Sequence, residues 1–227
     1  MNLLLVARRK VLLAALAEEL RSRYGIDARA LEGDLGTPDF RESLRNAVSG
    51  LEVGLAVYNA AYAPVGEFAA MDPAALSRVV DVNVLGPAML LRTLVPPMIA
   101  RRRGALILMS SLAGNQGSPS IAVYAASKAF NKILAESLWK ELEPKGIDVV
   151  ACCAGAVRTP GFAGASGKDA PGTMDPASVA ERAVAGLGRG PVVVPGFVNK
   201  LASFFLGRLL SRRMAIGVMA NSTKGLS

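Results

Sequence analysis

The hydrophobic positions of this chain follow two alternating patterns. Short, continuous apolar runs are typical of strands buried on both faces of a sheet. Longer segments carry apolar residues at helical spacing, with charged residues between them. The predicted strands are 2–7, 27–32, 53–58, 105–109, 147–153 and 191–194, and the predicted helices are 10–23, 38–48, 72–103, 121–143, 176–187 and a tail from 197. This alternation indicates an α/β fold, a doubly wound parallel sheet with helices on both faces, as in a Rossmann-like domain.

Punctuating residues refine these boundaries. Gly25 is expected to end the first helix, and Asp175 to cap the helix that begins at Pro176. Pro87 and the pair Pro96–Pro97 predict that the long helical region is bent or broken. The stretch 161–173, rich in Gly, Ala and Ser, predicts a mobile loop that shapes the substrate pocket.

Composition favours one globular domain over residues 1–227, because 52% of the residues are hydrophobic and only 19% are charged. The net charge is +8, and the tail 197–227 has five basic residues and no acid. No DNA-reading motif accompanies these charges, so nucleic acid is not an expected partner. The tail is basic and amphipathic. It favours packing or a contact within a homo-oligomer, and a peripheral contact with an anionic membrane is the alternative.

The polar chemistry available to the chain is restricted. There is no histidine, which excludes His-based triads and His metal sites. The only cysteines, Cys152 and Cys153, are adjacent within an apolar run, so we expect buried thiols, no metal site and a reducing, cytoplasmic location. No convincing secretory signal is found, because Arg8, Arg9 and Lys10 follow the first apolar run instead of preceding it.

One stretch, from Ser110 to Lys128, combines groups suited to proton transfer. Tyr124 and Lys128 are four residues apart, which places them on one face of a helix, one turn apart. A neighbouring ammonium favours the phenolate and is expected to lower the pKa of the phenol. Ser111, in the loop after a strand, can orient a substrate oxygen. Taken singly, each residue has an ordinary structural explanation; the combination is much harder to explain that way.

The arrangement S-x12-Y-x3-K after an apolar strand, with the phrases SSLAG and YAASKA, resembles the catalytic segment of the short-chain dehydrogenase/reductase family. The resemblance implies that Tyr124 is the general acid/base, that Lys128 lowers its proton affinity and holds the nicotinamide ribose, and that Ser111 binds the substrate oxygen. It also implies that Asn83 supports a water-mediated proton path, although a helix-kink asparagine near Pro87 is the alternative.

The same resemblance implies a set of cofactor contacts. Arg8, in a strongly basic stretch after the first strand, favours NADP(H) over NAD(H). The segment Tyr58-Asn59-Ala60-Ala61 matches the family's Asn-Asn-Ala-Gly only at its middle two residues, and Ala154 replaces a usual proline. Helix capping near Thr37 is an alternative role for Asp34. The implied cofactor-binding residues are Arg8, Asp34, Leu35, Asn59, Ala60, Tyr124, Lys128, Gly155, Val157 and Thr159.

A glycine-rich phosphate loop of the type T-G-x-x-x-G-x-G is absent from the first half of the sequence. The first apolar run resembles the family's second strand, so we expect a domain that is shortened at its N-terminus; either Met1 is an internal methionine or the chain is naturally short. The expected function is oxidoreduction of a small carbonyl or alcohol with NADP(H). The alternative is a cofactor-deficient relative that acts as a subunit or binding protein.

Overall fold

A computed structural model of the chain describes residues 1–159 and 169–223. The predicted loop 161–173 therefore lies largely outside the described residues. The chain divides into two compact units, Met1–Leu51 and Glu52–Ser227. The strands accordingly form two parallel sheets, one of two strands and one of four.

The first unit is a β-α-β-α segment. Its elements are β1 (Leu3–Ala7), α1 (Lys10–Tyr24), β2 (Ala28–Glu32) and α2 (Pro38–Val48). As predicted, α1 ends at Gly25, which adopts a left-handed conformation with φ 61°. Thr37 caps α2, and its hydroxyl accepts the Phe40 N–H at 3.4 Å.

Burial in this unit differs from the sequence prediction. Residues Leu3–Val6 of β1 are only half-buried, and Ala7 is exposed, so the expectation of a strand buried on both faces is wrong. The reason is that β2 is the only strand hydrogen-bonded to β1 among the described residues. In α1, Leu13 is buried, but Leu12 and Leu16 of the predicted apolar side are exposed.

The second unit carries the larger sheet, in the order β3-β4-β5-β6, with all strands parallel. Two further helices follow the last strand. The elements are β3 (Leu55–Tyr58), α3 (Pro73–Val80), α4 (Gly86–Arg101), β4 (Gly104–Ser111), α5 (Ala122–Leu142), β5 (Ile147–Ala154), α6 (Pro176–Ala185), β6 (Val192–Val193), α7 (Phe197–Phe204) and α8 (Arg212–Thr223).

Helices cover both faces of β5, as the doubly wound prediction requires. Cys152 lies in a cluster with Val179 and Ala183 of α6. Its neighbour Cys153 points the other way, toward charged side chains of α5. All residues of β5 except Asp148 are buried, so this strand forms the centre of the core.

The long helical region, which the sequence predicts to be bent or broken, is one unbroken helix, Pro73–Arg101. A π-helical turn (Asp81–Leu85) joins α3 to α4, and Pro96 and Pro97 are accommodated inside α4. Both prolines are exposed, so water can satisfy the carbonyls that they leave without donors. By length and composition, the helix Pro73–Arg101 is the one helix among the described residues that could cross a membrane, with 33% of its most apolar window buried.

Candidate active site

The candidate site is assembled at the carboxyl edge of the larger sheet. The parallel strands β3, β4 and β5 end side by side there, and Ser111 of β4 is in register with Ala154 of β5. Three predicted site segments follow these strand ends directly: Asn59, the turn after Ser111, and Gly155. This edge is where α/β sheets bind ligands, because the connecting loops diverge from it.

Ser111 begins a single 3-10 turn, Leu112–Asn115, and its hydroxyl accepts the Ala113 N–H at 3.2 Å. Gly114 lets this turn approach α5 closely, because a Cβ at Gly114 would lie 2.6 Å from the backbone nitrogen of Ala129. The same packing brings the Ser111 hydroxyl into a hydrogen bond with the Tyr124 side chain. Ser111 and Tyr124 therefore meet, as the spacing predicts.

The pKa of Tyr124 moves in the direction opposite to the sequence expectation. Burial of the half-covered phenol raises its pKa above the ordinary value, and the hydrogen bond with Ser111 offsets only part of this effect. The Lys128 ammonium lies 5.6 Å from the centroid of the ring, so the predicted neighbour is present. Desolvation is nevertheless the largest influence on the pKa, and the phenol stays protonated at neutral pH.

Lys128 is the one buried lysine of the described chain, with 3% of its surface exposed. Burial lowers the pKa of its ammonium to about 8, and the neighbouring Cys153 offsets a smaller part of this shift. Its Nζ donates to the Met109 carbonyl at 2.8 Å, and its own carbonyl accepts from the Ser110 hydroxyl at 2.7 Å. β4 therefore holds Lys128 at both its backbone and its side chain.

Asn83 is fully buried in the π-helical turn and links the loop at Tyr62 to α5. Its amide nitrogen donates to the Tyr62 carbonyl and to the Ser127 hydroxyl, both at 2.9 Å, and its oxygen accepts the Tyr62 N–H at 2.8 Å. Ser127 in turn donates to the Tyr124 carbonyl at 2.7 Å. Asn83 thus braces the helix that carries Tyr124, and its two N–H groups are both engaged by protein atoms.

Tyr58 was noted in the sequence only as a departure from the family pattern, and its role was missed. Gly86 donates its N–H back to Asp81, and Pro87 has no N–H, so the Val82 carbonyl lacks a helical donor. The Tyr58 hydroxyl donates to this carbonyl at 2.5 Å. A Cβ at Gly86 would lie 2.1 Å from the Tyr58 hydroxyl oxygen. In the sequence, the pair Gly86–Pro87 was the signal that a side chain outside the helix would donate a hydrogen bond to a helix carbonyl.

The turn after β5 positions Gly155, Val157 and Thr159. Val157 forms an isolated parallel bridge with Met174, and Thr159 is exposed. Gly155 has an additional structural reason to be glycine, because a Cβ there would lie 2.6 Å from Oδ1 of the buried Asn199. Asn199 was missed in the sequence; its signal was the one amide side chain of α7.

The predicted adenine-side residues Arg8, Asp34 and Leu35 belong to the first unit. Arg8 is exposed in the connection between β1 and α1. One carboxylate oxygen of Asp34 accepts the Gly36 N–H at 2.9 Å within the turn before α2, whereas the residue that caps this helix is Thr37. Leu35 is half-buried.

Asn59 and Ala60 belong to the second unit, where Asn59 is exposed and Ala60 half-buried after the end of β3. A cavity lined by Trp139, Asp148 and Arg189 lies at the opposite, amino edge of the sheet, away from these residues. Within residues 1–159 and 169–223, no cluster of three or more His, Cys, Asp or Glu side chains could hold a metal ion.

The short chain dehydrogenase family model matches residues 1–169, so the chain belongs to this family. The chain is 35% identical over 153 residues to a very-long-chain 3-oxoacyl-CoA reductase of Aspergillus clavatus, covering 65% of this chain and 44% of the relative. It is 32% identical over 160 residues to a 7beta-hydroxysteroid dehydrogenase of Clostridium sardiniense, covering 70% and 61%. The chain thus spans about half the length of the curated relatives it matches.

Solved structures confirm the fold. A solved structure from work on the stereoselectivity of 7beta-hydroxysteroid dehydrogenase superimposes on this chain with a TM-score of 0.90 at 27% identity. The match covers 96% of this chain and 86% of that one. A short-chain dehydrogenase from Sphingobium yanoikuyae in complex with NADPH gives a TM-score of 0.79 at 30% identity, covering 86% and 78%. The predicted Rossmann-like α/β class is confirmed, and the family is one of enzymes.

Proposed function

We propose that this chain carries the catalytic site of an NADP(H)-dependent oxidoreductase that interconverts a carbonyl and an alcohol. The observation that carries the proposal is the convergence of three groups at the carboxyl edge of the sheet. The Ser111 hydroxyl is hydrogen-bonded to Tyr124, and the buried Lys128 ammonium lies 5.6 Å from the Tyr124 ring. Burying an ammonium destabilises the fold, so a buried lysine is not expected in a protein that has only a structural role.

The protonation state of these groups suits carbonyl reduction. Because burial raises the pKa of Tyr124, the phenol carries its proton at neutral pH and can donate it to a substrate oxygen. Ser111 holds the phenol in place and can donate a second hydrogen bond to the same oxygen. Asn83, through Ser127, fixes the first turns of α5, so it is a positioning residue for Tyr124.

The residues present fit the nicotinamide end of the cofactor. Only one hydrogen-bond acceptor for the Lys128 ammonium, the Met109 carbonyl, is found among the described residues, although the ammonium has three N–H groups. Its remaining donors suit ribose hydroxyls, and Asn59, Ala60, Gly155, Val157 and Thr159 lie on the same edge. When bound, the cofactor exchanges a hydride with the substrate carbon.

The preference for NADP(H) rests on Arg8. It is exposed directly after β1, next to Arg9 and Lys10, and no acid occupies this connection. In dinucleotide-binding folds, arginine at such a position accommodates a 2′-phosphate, whereas an acid binds the ribose hydroxyls of NAD. The NADPH-bound relative from Sphingobium yanoikuyae supports the same preference.

The proposed substrate is an apolar carbonyl compound. The relatives are named for very-long-chain 3-oxoacyl-CoA and for a hydroxysteroid, which share a large apolar body and one reacting oxygen. We further propose a cytoplasmic location, because Cys152 and Cys153 are buried free thiols, and a homo-oligomeric assembly.

A second candidate is a cofactor-deficient relative that acts as a subunit or binding protein. The sequence has no glycine-rich phosphate loop in its first half, and β1 and β3 each have one hydrogen-bonded strand neighbour among the described residues.

Cofactor titration and turnover separate the two candidates. We expect NADPH binding at micromolar concentrations or tighter, and NADPH oxidation with apolar ketones. Both the chain as given and a fusion that supplies a relative's phosphate-loop segment should be assayed with Tyr124→Phe as the inactive control. Failure of the chain to bind NADPH supports the second candidate, whereas binding at micromolar concentrations or tighter disfavours it. Turnover that Tyr124→Phe leaves unchanged contradicts the first.

A further inference from the structure

The tail helix α7 is oriented with its polar side inward. Asn199 is only 4% exposed, whereas Phe197 is 74% and Phe204 is 52% exposed. A helix that packs only for its own stability shows the opposite arrangement, with apolar residues inward. We call the exposed apolar surface of α7 and of the π-helical turn Phe205–Leu209 the outer face; it consists of Phe197, Val198, Leu201, Phe204, Phe205 and Leu209.

These side chains form one contiguous patch. Phe197, Leu201 and Phe204 recur at helical spacing on one side, and the rings of Phe204 and Phe205 contact each other edge to face, with centroids 5.9 Å apart. Scattered apolar residues on a surface need no explanation, but a contiguous aromatic patch marks an interaction site.

Asn199 fixes this orientation. Its amide donates to the carbonyls of Gly172 and Pro195, both at 3.0 Å. Cβ atoms at Gly155 and Gly172 would lie 2.6 and 2.5 Å from its Oδ1, so glycines leave room for the amide. The helix cannot turn its aromatic side inward without burying unpaired polar atoms, which is costly.

The charges around the outer face indicate what covers it. Lys200 and Arg208 are exposed within the same segment, Arg213 is exposed at the start of α8, and no acid occurs from residue 197 to the end of the sequence. A two-fold contact between copies would pair this surface with itself and bring like charges together. An anionic bilayer instead receives the aromatic side chains in its interfacial region and attracts the cations around them.

We propose that the outer face and its basic neighbours dock this protein on an anionic lipid bilayer. The proposal is independent of the catalytic function. It does have a structural link to the site through Asn115, the last residue of the turn after Ser111. The Asn115 amide donates to the Ser203 hydroxyl of α7 at 3.3 Å, and Arg212 donates to the Asn115 carbonyl at 2.7 Å.

Vesicle co-sedimentation of the full chain tests the proposal. We expect binding to vesicles that contain phosphatidylglycerol, weaker binding in high salt, and little binding to pure phosphatidylcholine. The double change Phe204→Ser and Phe205→Ser should reduce the bound fraction at least about tenfold. Phe68→Ser, at a similarly exposed phenylalanine of the same unit, is the matched control and should leave binding unchanged.

The charge requirement has its own comparison. Arg208→Glu with Arg213→Glu should abolish the preference for phosphatidylglycerol, whereas Arg92→Glu, at an exposed arginine of α4, should not. As a second readout, Phe204→Trp in a Trp139→Phe background should shift its fluorescence to shorter wavelength when phosphatidylglycerol vesicles are added.

Three results would overturn the proposal. The first is equal binding to both kinds of vesicle, and the second is binding that the Phe204 and Phe205 changes do not affect. The third is a sedimentation-velocity shift from oligomer to monomer in that double variant, with unchanged vesicle binding, because it would identify the outer face as a contact between copies.

Discussion

The two units of this chain use the same βα pattern but bury it differently. In Met1–Leu51, no residue of β1 is fully buried, and α1 exposes Val11 at 80%. In the second unit, β4 and β5 have strand neighbours on both sides, and their central residues are buried almost completely. A continuous apolar run therefore becomes a core strand only when strands on both sides and helices on both faces cover it.

The residues proposed for proton transfer and those proposed for the adenine side of the cofactor belong to different units, which differ in burial. The proton-transferring residues are anchored to β4 and α5 by buried hydrogen bonds, such as that from Lys128 to Met109. The residues implied for the adenine side, Arg8, Asp34 and Leu35, lie in the less buried unit. We therefore expect changes in the second unit to have large effects and matched changes in the first unit to have small ones.

The largest expected effect concerns the two tyrosines Tyr124 and Tyr24. Tyr124→Phe should reduce NADPH-dependent carbonyl reduction by about a thousandfold, because it removes the proton donor at the site. Tyr24→Phe, at a 58% exposed position of the first unit, should leave the rate unchanged. Steady-state kinetics on one ketone checks both. Equal rates in the two variants would show that the phenol of Tyr124 is not the donor.

A second comparison uses the buried Lys128 and the exposed Lys10. Because the folded pKa of Lys128 is lowered to about 8, the unfolded state binds more protons between pH 8 and its ordinary pKa of 10.5. The contribution of Lys128 to the free energy of unfolding therefore rises with pH across that window, by about 3 kcal/mol in total. This contribution is lowest below pH 8.

Denaturant titrations at several pH values should show this rise in the difference between the parent and Lys128→Met. The unfolding free energy of the parent alone is not enough, because burial also raises the pKa of Cys152 and Cys153. The contribution of these two thiols to stability falls as pH rises above about 9, and it cancels when the variant is subtracted from the parent. Lys10→Met, at a side chain that is 77% exposed, should show no such difference. A flat parent-minus-variant curve for Lys128 would contradict the lowered pKa.

A third comparison pairs two leucines in strands. Leu108→Ala in β4, where the side chain is 1% exposed, should lower the free energy of unfolding by about 3 kcal/mol, since it leaves a cavity in a packed core. Leu5→Ala in the half-buried β1 should cost about 1 kcal/mol, mainly through lost transfer energy. Urea unfolding measures both, and similar losses would indicate that the two units are packed alike.

The smallest expected effect concerns Tyr58 and Gly86. Tyr58→Phe removes the donor to the Val82 carbonyl and should destabilise the second unit by about 1 to 2 kcal/mol. Gly86→Ala should cost more in the parent than in the Tyr58→Phe background, because the hydroxyl oxygen is the atom that its Cβ would meet first. Strictly additive losses in a double-mutant cycle would refute this coupling.

Local signals predicted much of this fold. Thr37 and Pro38 mark the start of α2 correctly, and the alternation of strands and helices gives the correct class. The unbroken helix through Pro96 was not predictable, since it depends on the exposure of this proline, which only the folded structure reveals. The burial of β1 was overestimated because a strand's neighbours are not encoded in its own apolar run.

The site was predicted at the level of residue types and not of electrostatics. The spacing of Tyr124 and Lys128 correctly places one beside the other. The direction of the pKa shift of Tyr124 depends on how much water the phenol loses, which spacing does not reveal. The roles of Tyr58 and Asn199 depend on backbone groups far away in the sequence, so only the three-dimensional structure identifies them.

The π-helical turn Asp81–Leu85 has a consequence for changes in chain length. Such a turn holds one residue more than the α-helical turn it replaces, so deleting one residue within it restores regular helical winding and keeps the flanking segments in phase. A single deletion elsewhere in Pro73–Arg101 instead rotates everything beyond it by about 100°. A deletion in this turn is therefore expected to destabilise the helix less than a deletion elsewhere, and it would displace Asn83.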